Sequence, residues 1–157
     1  MTTTNAMRLL QKAGIPFDTS EYEVDESDLS GVHAAESLGI DPGCMFKTLV
    51  ARGDKNGLSV FCIPVAEELD LKKCAAVTGN KKIEMIHVKE LLGVTGYIRG
   101  GCSPIGMKKK YPTWIDETAQ LCERVYVSAG MRGQQLILAP DALLAFVDGA
   151  YADLTKR

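Results

Sequence analysis

Residues 46–64, FKTLVARGDKNGLSVFCIP, contain two apolar runs on either side of a turn. The runs at 46–51 and 58–64 are rich in the β-branched and aromatic residues that strands favour. The connection at 53–57 contains two glycines, an aspartate and an asparagine, which favour a tight turn. The segment therefore predicts a β-hairpin with two largely apolar strands.

Short helix patterns and short strand patterns alternate irregularly on both sides of this hairpin. Apolar residues at helical spacing predict an opening helix at 6–13, capped by Thr3 or Thr4 and ended by Gly14 and Pro16. Because the regular alternation of a doubly wound sheet is missing, we predict an α+β fold, with a mixed, curled sheet or barrel and flanking helices. The other predicted elements are an extended segment at 17–24, a loop at 25–30, strands at 83–85, 113–116, 125–128 and 136–138, and helices at 33–38, from Asp70 through 77, at 88–92 and after Pro140.

The length and composition predict one globular domain spanning residues 1–157, because 46% of the residues are hydrophobic and 24% are charged. No apolar run approaches the roughly 20 residues that a membrane helix needs. The first residues also lack the basic and then apolar pattern of a secretion signal. We therefore expect a cytoplasmic protein without a membrane segment.

The formal net charge of −2 argues against a protein that grips a long nucleic acid, which is usually strongly basic. Basic residues nevertheless cluster at 72–73, 81–82 and 108–110. Any contact with nucleic acid is therefore expected to be small and local.

The cysteine pattern argues against a disulfide framework and against a structural zinc site. The count of five is odd, and no pair has the C-x-x-C spacing of a metal site. We expect most of them to be small buried hydrophobic residues in a reducing compartment, and we expect no metal and no cofactor. The five are Cys44, Cys62, Cys74, Cys102 and Cys122.

Lys47 is a charged residue inside an otherwise apolar strand. Side chains alternate across a strand, so Lys47 shares a face with Leu49 and Ala51. If both faces are covered, the ammonium must be paired or must line a pocket. The alternative is a lysine that protects an edge strand from aggregation, and the pattern leaves both open.

Two glycine-rich loops are further candidates for chemistry. Glycines at 100–106 allow backbone N–H groups to approach a phosphate or a developing oxyanion, and Lys108 and Lys109 follow within reach of an RNA phosphate. The loop at 128–133 carries Arg132, which is suited to a phosphate or a carboxylate. In both cases the alternative is a surface turn, with the lysines as a solvated run.

The common catalytic sets find little support in this sequence. His33 and His87 are the only histidines, and neither has metal-ligand spacing with another histidine or cysteine. No G-x-S-x-G elbow exists. A nearby cation such as Lys47 would lower the pKa of Cys44 or Cys102, but a cysteine nucleophile there lacks a histidine base.

Taken in order, these segments resemble the YbaK/EbsC family of aminoacyl-tRNA deacylases, which is related to the editing domain of bacterial prolyl-tRNA synthetases. The similarity covers nearly the whole chain and is greatest to the branch that clears Cys-tRNA(Pro) rather than Ala-tRNA(Pro). The matching segments are 6–10 with 15–17, 46–49, 64–66, 69–73, 81–85, 95–97, 100–106, 108–109, 115–116 and 126–133.

The resemblance implies a compact mixed-sheet barrel with a pocket for the aminoacylated 3′ end of tRNA. It implies that Lys47 is the essential lysine, that Gly100 and Gly101 form the catalytic glycine loop, and that Tyr22 stands at the pocket mouth. One departure is that better-known members carry an acid where this chain has Gln135. The remaining expected contacts are Ser103, Pro104, Arg132 and Gln135 with the substrate, and Lys108 and Lys109 with RNA.

The resemblance also implies a trans-editing deacylase for mischarged tRNA, foremost Cys-tRNA(Pro), with ester cleavage assisted by the thiol of the substrate. Because the basic residues are few, we expect a partner to select the tRNA, and the resemblance implies prolyl-tRNA synthetase. The alternatives are a deacylase for another small amino acid such as alanine, a non-catalytic module that binds an acceptor end or a nucleotide, and a hydrolase that uses Cys102.

Overall fold

The computed structural model describes residues 2–156 and shows an α+β fold, as predicted. Five α-helices and eight strands alternate without a regular repeat in this part of the chain. The helices are α1 Asn5–Lys12, α2 Gly31–Leu38, α3 Leu71–Thr78, α4 Val88–Thr95 and α5 Pro140–Phe146. The strands are β1 Asp18–Glu21, β2 Phe46–Gly53, β3 Gly57–Pro64, β4 Ile83–Met85, β5 Thr113–Asp116, β6 Val125–Ser128, β7 Gln134–Leu138 and β8 Ala150–Ala152.

The helix caps predicted at Thr4, Asp70 and Gly39 are present in the structure. The Thr4 hydroxyl accepts a hydrogen bond from the Met7 N–H, and the Asp70 carboxylate accepts two from the first turn of α3. A side-chain acceptor at this position satisfies N–H groups that have no partner inside the helix. At the other end, Gly39 closes α2 with a left-handed backbone at φ +66°.

The strands form two sheets that do not close into the barrel the resemblance implied. One sheet has the order β1-β7-β6, and the other has the order β4-β2-β3-β5-β8. Within the described residues, the ladders of the two sheets meet only at an isolated parallel bridge between Met45 and Tyr126. No closed barrel forms because this bridge lies just before β2 begins, and β2 and β6 are not paired beyond it.

The hairpin of β2 and β3 contributes to both clusters of the core. Phe46 and Cys62 face the first cluster, together with α1, β6 and β7. Phe61 and Ile63 face the second cluster, which α3 covers through Cys74. Because β3 is buried on both faces, its sequence is nearly continuously apolar.

The expectation of no disulfide is wrong for one pair of cysteines. Cys44 and Cys122 form a disulfide that joins the start of β2 to the segment before β6. The pair escaped the sequence analysis because its members lie 78 positions apart, and spacing alone does not reveal contacts at that distance. Cys62, Cys74 and Cys102 are free and buried, as predicted.

Two short elements were not predicted, namely β8 and a 3-10 helix at Glu117–Leu121. The 3-10 helix has five residues and β8 has three, so neither is long enough to show a periodic pattern in the sequence. β8 forms through its parallel pairing with β5. Between residues 2 and 156, no helix has the length and apolar character needed to cross a membrane.

Candidate functional site

A cleft of about 420 Å³ opens at the gap between the two sheets. Tyr126 is bridged to Met45, immediately before β2, and the Ile86 N–H donates to the Val50 carbonyl in the second half of the strand. Between these two contacts, the structure records no strand partner for this edge of β2 within residues 2–156. The open edge forms one wall of the cleft, and β6, β7, α2 and α4 supply the others.

Lys47 lies on the open stretch of β2, and it lines the cleft. Its side chain is half-buried, and the structure gives it no ion pair or hydrogen bond with any of the described residues. Burial lowers the pKa of its ammonium below the ordinary value, while the charges of Glu68 and Glu67 partly oppose this shift. The edge of β2 is open here, as the protective role for Lys47 would require, but this edge faces the cleft and not open solvent.

The described lining of the cleft carries basic side chains although the chain has a net charge of −2. Lys47 and Arg99 contribute to its lining, together with His87, and no aspartate or glutamate is among the described lining residues. Charges that line a concave surface act in a lower effective dielectric than bulk water. The arrangement therefore favours an anionic ligand or a developing negative charge.

The predicted glycine loop contributes Gly100 to the cleft, and Gly100 and Gly101 differ in their contacts. Gly100 has a left-handed backbone with φ +85°, which glycine adopts without strain. The Gly101 N–H already donates to the Ile98 carbonyl at 3.0 Å. A Cβ at Gly101 would stand 3.2 Å from the backbone nitrogen of Arg132. Gly101 is therefore a close-packing residue with no free N–H to offer a ligand.

Arg132 braces this loop from outside the cleft lining. Its Nε donates to the Arg99 carbonyl at 2.8 Å, and its side chain covers Gly100. Tyr97 adds a second connection, because its hydroxyl donates to the Ile105 carbonyl and its ring packs against Gly130. These contacts connect the two glycine loops to one another.

Gln135 lies in the cleft wall and is 6% exposed. Its Oε1 is buried and accepts no hydrogen bond from the described residues. It stands in register with Ser20 on β1 and Ser128 on β6, and Ser128 also lines the cleft. A buried amide oxygen without a partner carries a desolvation cost unless a ligand supplies a donor.

Four of the other predicted residues lie away from the cleft lining. Ser103 is fully buried, and its hydroxyl accepts a hydrogen bond from the Ile105 N–H at 3.2 Å. Pro104 and Lys109 line a separate cavity of about 230 Å³. Lys108 is exposed and its N–H donates to the Thr95 carbonyl at the end of α4. Tyr22, by contrast, is among the residues that line the cleft.

The free thiol in the cleft is poorly suited to nucleophilic attack. Burial raises the pKa of Cys102 to about 11, so the thiol stays protonated at neutral pH. Neither histidine is recorded as a hydrogen-bond partner of its sulfur within residues 2–156. Cys44 is held in the disulfide. The cleft therefore offers a charge and backbone groups rather than a protein nucleophile.

Several cleft residues were missed by the sequence analysis. Thr48, Arg99 and Ser128 line the cleft but were not singled out. Arg99 immediately precedes one glycine loop and Ser128 begins the other, so their positions in the sequence could have indicated them. Thr48 alternates with Lys47 on β2, and only the open edge of the strand brings both to the same cleft.

Comparison with known proteins identifies the family. The aminoacyl-tRNA editing domain matches residues 29–146. The chain therefore belongs to the aminoacyl-tRNA editing domain family, and it is an enzyme of the aminoacyl-tRNA deacylase type. This confirms the family expected from the sequence.

Individual relatives extend the likeness over most of the chain. EbsC of Enterococcus faecalis, named as a candidate Cys-tRNA(Pro)/Cys-tRNA(Cys) deacylase, is 51% identical over 98% of this chain and 94% of its own. The proline–tRNA ligase of Shouchella clausii is 31% identical over 86% of this chain but only 22% of the ligase. A crystal structure of a candidate trans-editing enzyme for prolyl-tRNA synthetase is 25% identical and has a TM-score of 0.84. The match covers 99% of this chain and 100% of that one.

Proposed function

We propose that this protein is a trans-editing deacylase that clears Cys-tRNA(Pro) and acts in the cytoplasm. The observation that carries the proposal is the half-buried, unpartnered ammonium of Lys47 in a cleft whose described lining has no carboxylate. The name of the relative EbsC, which is 51% identical, supports cysteine as the amino acid. An alanyl ester is the alternative substrate.

The bond to be broken is the ester between the amino acid and the terminal ribose. In the proposed reaction, the cysteine sulfur of the substrate attacks the ester carbonyl carbon, and the bond from that carbon to the ribose oxygen breaks. The thiol proton passes to the departing ribose oxygen, so the products are a cyclic thiolactone and uncharged tRNA. No protein nucleophile is required, which agrees with the high pKa of Cys102.

Lys47 stabilises negative charge in this scheme, on the developing oxyanion or on the terminal phosphate. The N–H of Gly100 supplies a further donor, while that of Gly101 is engaged by Ile98. Positioning and charge stabilisation together contribute on the order of several kcal/mol to lowering a barrier. Gly101 supports the loop by close packing.

The substrate amino group is proposed to bind at Gln135. An α-ammonium is a strong hydrogen-bond donor, and the buried Oε1 of Gln135 is an acceptor without a partner among the described residues. Tyr22 closes the adjoining part of the cleft. Ser103 and Arg132 act indirectly, by holding the loop that carries Gly100, and Pro104 lies in the same loop.

The body of the tRNA is proposed to contribute little affinity by itself. Lys108 and Lys109 are exposed and provide a local basic surface, but the chain as a whole has a net charge of −2. We therefore propose that prolyl-tRNA synthetase, acting as partner, selects the tRNA. Equal turnover of Cys-tRNA(Pro) and other Cys-tRNAs by the isolated protein is the expected result.

The decisive experiment compares the purified protein on tRNA(Pro) charged with cysteine, serine or alanine. Because serine differs from cysteine only in the sulfur, we expect rapid loss of the cysteinyl ester and little loss of the seryl ester. Equal turnover of the cysteinyl and seryl esters would rule out assistance by the thiol. Binding of the acceptor end without any turnover would contradict the enzymatic proposal altogether.

A further inference from the structure

Exposed apolar side chains lie on α4 and on the segments that flank it in sequence, and two of them line the cleft. Met85, Val88, Leu92 and Ile98 are 40%, 64%, 54% and 49% exposed. These four residues, here called the α4 rim, lie on or beside α4. They account for half of the large hydrophobic residues that are exposed in the described part of the chain. An apolar group of this kind needs an explanation when it borders a binding site.

The α4 rim is continuous with the interior of the cleft. Successive residues of an α-helix are about 100° apart, so Leu91, Val88 and Leu92 form one apolar stripe across α4. Leu91 and Val88 line the cleft, and Leu92 continues the stripe outward. A ligand that leaves the cleft on this side therefore passes over the rim.

Unpaired cations flank the same stripe. Lys89 follows Val88 on α4, Arg99 lines the cleft, and the Lys108 side chain lies beside Gly96 at the C-terminal end of α4. None of the three side chains has a recorded ion pair within residues 2–156. The surface thus combines apolar contact area with positive charge.

The nearby carboxylates do not cancel this charge on the rim. Glu90 lies on the opposite side of α4 from Val88, where it pairs with Arg52 and accepts a hydrogen bond from the His87 N–H. Glu84 precedes Met85 on β4, so its side chain points to the other face of that strand. The charge on the rim is therefore complementary to an anionic polymer.

We propose that the α4 rim binds the unpaired nucleotides that precede the terminal aminoacyl-adenosine. Their bases pack against Val88 and Leu92, and their phosphates lie near Lys89, Arg99 and Lys108. Single-stranded nucleic acid is commonly bound in this way, by contact with the flat faces of bases and by cations along the backbone. The inference rests on the proposed function, because it takes the cleft as the site of the aminoacylated nucleotide.

A protein partner is the competing occupant. The cations that border this stripe lie next to the cleft, where they complement the phosphates of a strand whose end the cleft holds. The direct opening of the rim into the cleft also favours a polymer whose end occupies the cleft.

The test compares Leu92→Glu with Leu121→Glu, a matched control because Leu121 is 86% exposed and is absent from the cleft lining. Each variant is assayed on cysteinyl-adenosine and on a cysteinylated RNA minihelix that ends in CCA. We expect Leu92→Glu to raise KM for the minihelix about tenfold, because an apolar contact is replaced by a repelling charge. Its KM for cysteinyl-adenosine should not change, and Leu121→Glu should behave as wild type on both.

An equal effect of Leu92→Glu on both substrates, or no effect on the minihelix, overturns the inference. So does a loss of binding to prolyl-tRNA synthetase with an unchanged KM for the minihelix. If the wild type cleaves neither substrate, the proposed function fails, and the rim is judged separately by the affinity of an uncharged oligonucleotide ending in CCA. Weaker binding by Leu92→Glu than by Leu121→Glu supports the rim, and equal binding contradicts it.

A second variant tests the charge on the rim. If Lys89 meets one phosphate, Lys89→Gln should reduce the slope of log affinity against log salt by about 0.7, the value for one contact with a single strand. An unchanged slope for the oligonucleotide contradicts that contact.

Discussion

Lys47 is a residue whose pattern alone allowed two opposite interpretations. In the structure its strand edge is open, yet the ammonium lies half-buried in a cleft and has no recorded partner within residues 2–156. Burial lowers its pKa, and the charges of Glu68 and Glu67 oppose that effect only in part. Such a group is well placed to stabilise charge that appears during a reaction.

The lowered pKa of Lys47 predicts how activity falls at alkaline pH. A lysine is charged at a pH below its pKa and neutral above it. Activity that needs this charge should therefore begin to decline at a pH below 10.5, the ordinary pKa of lysine. Lys47→Arg keeps its charge in this range and should lack that decline, whatever its maximal rate. The measurement is single-turnover rate against pH, corrected for spontaneous hydrolysis. Identical alkaline declines in both proteins would show that the charge on Lys47 is not required.

Gln134 and Gln135 provide a matched pair for testing the acceptor in the cleft. Both have a buried Oε1 without a recorded partner, but only Gln135 is among the residues that line the cleft. Replacing either by methionine should change the free energy of unfolding by no more than about 1 kcal/mol, because no hydrogen bond to the described residues is lost. Only Gln135→Met should raise KM for the cysteinyl ester, by about tenfold for a lost bond to an ammonium.

Urea unfolding and steady-state kinetics of the two variants separate these effects. An unchanged KM in Gln135→Met contradicts the proposed contact with the ammonium. A similar rise in Gln134→Met would mean that the change acts through the strand and not through the cleft.

Most individual elements could be predicted because their signals are local. The hairpin at 46–64 needed only two apolar runs and a turn, and α1 and α3 needed only a cap and a helical repeat. β8 has three residues and is defined by its pairing with β5. A strand that exists through its neighbour has no pattern of its own to detect.

The Cys44–Cys122 disulfide connects β2 to the segment that leads into β6. Because it closes a long stretch of chain, its reduction should lower the free energy of unfolding by about 2–4 kcal/mol. Chemical unfolding with and without a thiol reductant measures the difference, and Cys44→Ser should show the reduced value under both conditions. Cys62→Ala is not a suitable control because it removes volume from the core. The control is the wild type unfolded in the presence of a solute that cannot reduce the disulfide. Equal stability before and after reduction would contradict the prediction.

At the scale of the whole molecule, the cleft arises from incomplete closure. The sequence and the resemblance together predicted the α+β class and the residues Lys47, Gly100, Tyr22 and Gln135, all of which line one cleft. They did not predict that the sheets part after the Met45–Tyr126 bridge, because the register between distant strands has no local signature. That separation opens the edge of β2 and admits a ligand beside Lys47.

The local charge of the cleft also depends on how the chain folds. A net charge of −2 describes the whole chain, but the described lining of the cleft has lysine, arginine and histidine and no carboxylate. The overall composition could not locate this asymmetry, since it depends on which surface each charged residue reaches after folding.

The most direct test of the central claim is single-turnover cleavage of Cys-tRNA(Pro) by Lys47→Ala. The control is Lys55→Ala, which removes an exposed lysine from the turn of the same hairpin. If Lys47 stabilises charge in the transition state, its loss should slow cleavage by a factor on the order of a hundred or more, as for the loss of one such donor elsewhere, while Lys55→Ala cleaves at the wild-type rate. Cleavage by correctly folded Lys47→Ala at the rate of Lys55→Ala would contradict the claim.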